Sequence, residues 1–255
     1  MKFLRFTLVF ALIAFLISCY EVNEEVVINE NGSGVYESRM DLSQLIELMQ
    51  SFAGEEEMTK GGLDKIYDTV ISMQSLLDSA DEATVKANGW MKDGKIAVKM
   101  NIKEKLFNIN LNVPYQNLEQ LQSLMEGQGN LMKESFTGLM NKGSKEKAPK
   151  DSSDAVFQDL VSLYKVTLSN GLIKKELDTE KYKSLMARPQ AGDLKQMAGS
   201  GMEIIYTSSF KLPRPVKNAS NPLLKVSEDK RTVTVRYNLL DVINDPAKYA
   251  FTIEY

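Results

Sequence analysis

Histidine is absent from the 255 residues, and cysteine and tryptophan occur once each. Without histidine there can be no Ser-His-Asp or Cys-His catalytic arrangement and no histidine-ligated zinc, copper or iron site. With one cysteine, Cys19, there can be no disulfide within the chain, although disulfides are the usual staple of small exported domains. The formal charge of −3 gives no basic excess to attract nucleic acid. Phosphate-binding chemistry is missing as well. Gly32-Ser33-Gly34 and Gly199-Ser200-Gly201 are Gly-rich, but neither opens a helix with a phosphate-cradling lysine. Glu55-Glu56-Glu57 lacks the alternating acidic order of a calcium loop and reads as a solvated charge run. Ser184 follows Lys183 directly, and neither Ser72 nor Ser75 has a lysine three residues on, so no Ser-x-x-Lys nucleophile stands out. The expectation is a protein with no catalytic residue, no metal and no cofactor.

The long apolar run that is present lies at the start. Lys2 and Arg5 precede an apolar stretch, Phe6 to Ile17, interrupted only by Thr7. This is the charged and hydrophobic order of a secretory signal. It is shorter than the roughly 20 residues a transmembrane helix needs. The run ends at Leu16-Ile17-Ser18-Cys19. These four residues resemble the lipobox of bacterial lipoproteins, which is cut by signal peptidase II. The resemblance implies that residues 1–18 are removed and that Cys19 becomes the first residue of the mature protein. Its sulfur then carries a diacylglyceryl group, and its amine an acyl chain such as palmitate. Two or three chains hold a protein stably to a membrane, so Cys19 is the expected membrane contact. Tyr20 to Asn23 then reads as a short polar tether, making residues 19–23 a lipidated linker.

From residue 24 onward the pattern is that of a folded α+β chain. Asn29 to Gly34 reads as a hairpin turn between strands near Glu24–Ile28 and Val35–Met40. Glu24 and Glu25 are adjacent on a strand, face opposite ways and cannot form a carboxylate pair. Asp41 or Ser43 can cap the following helix. Leu63, Ile66, Tyr67, Val70 and Leu77 fall on a helical stripe and predict a helix over 63–77. Ile96, Val98, Met100 and Ile102 alternate with polar residues, as do Phe107, Ile109, Leu111 and Val113, which predicts an antiparallel hairpin. A helix with Leu118, Leu121 and Met125 follows Pro114. Residues 141–154 read as a flexible loop. Asn170-Gly171 marks a third hairpin between Val161–Leu168 and Leu172–Leu177, and Asp178 or Thr179 caps the next helix. Strands follow at Ile204–Leu212, Leu223–Val226, Thr232–Tyr237 and Phe251–Tyr255.

Hairpin followed by helix thus occurs three times at unequal spacing. One continuous antiparallel sheet with helices packed on one face would bury all three units, so residues 24–255 are expected to form a single α+β domain. A lipobox followed directly by strand, Gly-rich turn, strand, acidic cap and helix is similar to several uncharacterised envelope lipoproteins of Gram-negative bacteria. The Phe210–Pro213 strand, the Ser-Glu-Asp-Lys hairpin and the final aromatic strand add to that resemblance. It implies an exported, lipid-anchored protein, with the outer membrane favoured because Tyr20, and not aspartate, follows the cysteine. Whether it faces the periplasm or the outside stays open. The expected function is a non-enzymatic binding or assembly module with an envelope protein partner and no nucleic acid. The alternative is a carrier of a small apolar ligand or lipid in a pocket between sheet and helices. Met49, Met125 and Met186 would line such a groove or simply fill the core. Trp90, beside Gly89 and Asp93-Gly94, is the one candidate ligand-contact residue, with partial burial as its plainer reading.

Overall fold

A computed structural model describes residues 19–44, 46, 66–78, 82–126, 160, 162–189, 191–199 and 203–255. The expected signal segment at 1–18, Glu55–Glu57, Met49 and the expected loop at 141–154 lie outside these residues.

The chain is α+β, and its sheets are mostly antiparallel. The first hairpin is β1 (Cys19–Ile28) and β2 (Gly34–Asp41). Tyr20, Val22, Val26 and Ile28 point to the core, while Glu21 and Asn23 are exposed. Residues 19–23, expected as a tether, are therefore the first half of β1. Their alternation of Tyr20 and Val22 with polar residues suits a half-buried strand, and β1 is paired with β8 from Cys19 and with β2 from Glu21. β3 (Tyr67–Ser72) takes the middle of the helix expected over 63–77, and among its described residues the helical part is α1 (Met73–Leu77), capped by Ser72. The stripe was real in spacing. However, Tyr67, Thr69, Val70 and Ile71 favour extended backbone, and β4 offers an open edge that β3 fills. Val70 remains 65 % exposed, as befits an edge strand. α2 (Glu82–Asn88) follows.

β4 (Lys95–Asn101) and β5 (Leu106–Tyr115) form the second hairpin, followed by helix α3 at 118–126. β6 (Tyr164–Ser169) and β7 (Leu172–Leu177) form the third. Gly171 turns it with φ +96°, a value that glycine adopts without cost. Asp178 caps α4 (Thr179–Met186) by accepting from the Glu180 and Lys181 amides at 3.2 and 3.1 Å. α5 (Ala191–Gly199), β8 (Glu203–Lys211), β9 (Asn218–Ala219), β10 (Leu224–Val226), β11 (Thr232–Asn238) and β12 (Phe251–Glu254) complete the order.

These strands divide into two sheets instead of forming one. The larger has the order β10-β11-β8-β1-β2-β5-β4-β3, and the smaller β6-β7-β12-β9. All neighbours are antiparallel except β1 and β8, which run parallel. Phe210 of the larger sheet meets Phe251 of the smaller edge to face, at 6.0 Å. The β6 edge is covered by α3. Gln122 and Glu126 there accept from the Leu168 and Val166 amides, both at 3.4 Å, which occupies donors that an open edge would expose.

Gly34 is fixed by close approach. A Cβ there would lie 1.7 Å from the Val27 carbonyl oxygen and 2.4 Å from the Tyr115 hydroxyl. Tyr115 donates to that same carbonyl at 2.6 Å, joining β5 to the β1–β2 hairpin. Gly34→Ala is expected to lower the stability by about 3 kcal/mol, at the upper end for overpacking because the obstacle is backbone. Urea denaturation reads this out, and an unchanged midpoint would contradict it.

Candidate functional site

Between the two sheets lies a polar cluster inside an otherwise apolar core. Its centre is Glu24, only 4 % exposed. Glu24 shares its phase along β1 with Val22 and Val26, so the pleat that buries them buries it too. Its register neighbours on the two flanking strands are Ser38 of β2 and Ser208 of β8, both buried. A row of three polar side chains therefore crosses three adjacent strands. Ser38 Oγ has no hydrogen-bond partner among the described residues. Tyr36 donates to Glu24 Oε1 at 2.5 Å.

The opposing charge comes from the smaller sheet. Lys175 is in phase with Ile173 and Leu177 on β7, and its ammonium enters a nest of rings. Nζ lies 4.4 Å from the Tyr164 ring centre, 5.6 Å from Tyr237 and 5.9 Å from both Tyr206 and Phe251. It also donates to the Tyr237 hydroxyl at 3.3 Å. The rings hold the cation by their electron-rich faces. Tyr237 in turn packs on Tyr206 at 5.4 Å and on Tyr249 at 4.6 Å.

Burial and charge act against one another here. Burial raises the Glu24 pKa above the ordinary carboxylate value, while hydrogen bonds from Tyr206 and Tyr36 and the Lys175 charge offset part of the rise. Burial lowers Lys175 to about 8, and the Glu24 carboxylate holds it from falling further. The phenols of Tyr206 and Tyr237 are pushed well up, chiefly by burial, so they remain neutral donors. The free volume beside Glu24, Lys175, Tyr164 and Ser208 is about 20 Å³. That accommodates about one water molecule and no lipid chain.

The cluster contains one carboxylate and one amine. Acid–base catalysis on a bound substrate needs space for that substrate, and metal binding needs several convergent ligands. No group of three acidic, histidine or cysteine residues converges among the described residues. Glu25, on the opposite face of β1, pairs at the surface with Lys211 at 2.7 Å. The two glutamates thus face apart, as the pleat requires.

Trp90 lies in a 3-10 turn, Gly89–Asp93, where it is half-buried and packs on the core. It is not part of the inter-sheet cluster. Cys19 opens β1, with its backbone opposite Glu203 of β8. Sequence reading missed the Glu24–Lys175 cluster, although both residues carry a signal: each is a charge in phase with aliphatic neighbours that pack on the core. Starting the first strand at Glu24 instead of Cys19 concealed that phase.

The class defined by these features is an α+β protein of two sheets with a polar centre between them, built on Glu24 and Lys175. No family model and no curated protein matches the chain. Among solved structures, it is similar to the folded domain of the LppM protein of Mycobacterium tuberculosis, determined by NMR. The TM-score is 0.35 and the identity 9 %, over 92 % of this chain and 90 % of that one. No residue role is carried over from that likeness. No helix among the described residues is long and apolar enough to cross a membrane.

Proposed function

We propose that this chain is a lipid-anchored envelope protein whose folded part is a non-enzymatic binding or assembly module. The observation that carries the non-enzymatic reading is the cluster itself. Glu24 and Lys175 line one space of about 20 Å³ and act on each other electrostatically across it. Groups engaged this way join two sheets and leave nowhere for a substrate to sit. The anchoring reading rests on the signal, the Leu16-Ile17-Ser18-Cys19 motif and the fact that Cys19 is the only cysteine. Tyr20 in the position after it favours the outer membrane of a Gram-negative cell. The inter-sheet cavity lends no support to a lipid carrier.

Cys19→Ser is expected to abolish incorporation of an alkyne-tagged palmitate and to move the protein from the membrane to the soluble fraction. Its thermal midpoint should stay unchanged, because β1 pairs through its backbone. Label still entering the Cys19→Ser protein would overturn the anchoring reading. For the module itself, crosslinking in intact cells followed by capture of the mature protein should return a reproducible envelope protein, and its failure to do so counts against that half.

A further inference from the structure

The structure also bears on how such an anchor would hold the protein, an inference that rests on the lipidation of Cys19. β1 begins at Cys19, with ladders that start at Cys19–Glu203 on one side and Glu21–Asp41 on the other. Tyr20, the next residue, is buried. Once cleavage makes Cys19 the first residue, no slack chain separates the lipid from the sheet. Acyl chains lie in the hydrocarbon, and the interfacial layer above it is only about 5–8 Å deep. The end of the larger sheet that carries Cys19 is thereby drawn down to the headgroups.

We infer that this end is a membrane-contact surface, formed by the start of β1, the end of β2 and the β4–β5 turn, and seated on lipid headgroups. Register places these parts at one level. Asp41, opposite Glu21, is also opposite Asn108 of β5, and β5 opens at Leu106 opposite Asn101 of β4. Strands lie about 4.8 Å apart, so the β4–β5 turn is about 10–15 Å from the anchor along the sheet. Lys103, Glu104 and Lys105 of that turn are exposed, as are Glu21 and Asp41. These five side chains are polar and of mixed sign, which suits the phosphate and amine of a zwitterionic headgroup. At the other end, the Asn29–Ser33 turn lies a full strand away, about 33 Å for the ten residues of β1. That turn faces away from the bilayer and is free to meet a partner.

The test uses the full lipidated chain, purified from membranes into vesicles of phosphatidylethanolamine and phosphatidylglycerol. Lys103→Cys and Glu30→Cys each introduce a labelling thiol, since the Cys19 sulfur is taken up by the diacylglyceryl thioether. Energy transfer from a dye on that thiol to an acceptor on the lipid headgroups is expected to be several-fold stronger for Lys103→Cys. A Gly-Ser spacer inserted between Cys19 and Tyr20 should erase the difference. Lipidated protein with equal transfer at both sites, or stronger transfer at residue 30, defeats the orientation and leaves the anchor standing. Protein that takes up no fatty acid defeats the anchoring reading, and this inference with it.

Discussion

Glu24→Gln is expected to destabilise the fold by about 3 kcal/mol at pH 7, and the loss should shrink as the pH rises. Removing one partner of a buried charge pair leaves the other uncompensated, at a typical cost of about 3–5 kcal/mol. The lower end applies because the aromatic nest still holds the Lys175 ammonium and Tyr36 can still donate to the amide oxygen. With the Glu24 charge gone, the ring contacts of Lys175 are left to oppose its desolvation, so its pKa should fall below the present value of about 8. A base whose folded pKa is depressed binds fewer protons folded than unfolded. Its contribution to stability therefore improves as pH rises from the folded value toward 10.5, the value for a free lysine. In the variant this window opens lower and the gain is larger. Glu24 has the opposite sign in the parent protein. Its raised pKa favours the folded state at low pH, and that contribution is lost as pH rises through the folded value. The Lys175 trend narrows the gap between parent and variant on the alkaline side. Urea denaturation at a series of pH values from 7 to 9.5 measures it, and a deficit independent of pH would assign the effect to packing. The pair Glu24→Gln/Lys175→Met should cost less than the sum of the single changes, since it removes both charges together.

Deleting residues 251–255 is expected to leave no cooperatively folded protein. β12 is an interior strand of the smaller sheet, paired with β7 on one side and β9 on the other. Phe251, Ile253 and Tyr255 are each at most 5 % exposed. Loss of a single large buried side chain costs about 2–5 kcal/mol, and three such losses reach the 5–15 kcal/mol that holds a typical domain together. The deletion also removes the Phe210–Phe251 contact between the sheets and one ring of the Lys175 nest. Ile253→Ala, which keeps the ladders, should cost only about 3 kcal/mol and still unfold cooperatively. Circular dichroism during urea denaturation distinguishes the two. A truncated chain with a sharp transition near the parent midpoint would show that β12 is dispensable.

Much of this arrangement is legible along the chain, because period-two alternation and turn chemistry are local. Asn170-Gly171 marks the β6–β7 turn, the polar outer positions of residues 95–113 mark the β4–β5 hairpin, and Asp178 marks the start of α4. The segment at 63–77 misled because its apolar residues fit a helical stripe, whereas β-branched content and an available edge on β4 favoured a strand. The choice between those turns on a partner far along the sequence.

The exclusion of histidine and disulfide chemistry, and the hairpins with their capped helices, are readable along the chain. Each depends on residue identity or on neighbours a few positions apart. Folding alone sets the strands in two sheets, lays β1 parallel to β8, and carries β1 back to Cys19. It also brings Glu24 and Lys175 together. Alternation shows which face a side chain takes, but not which distant strand lies opposite that face. A charge in the buried phase of one strand therefore acquires its meaning only when folding sets its counter-charge across the core.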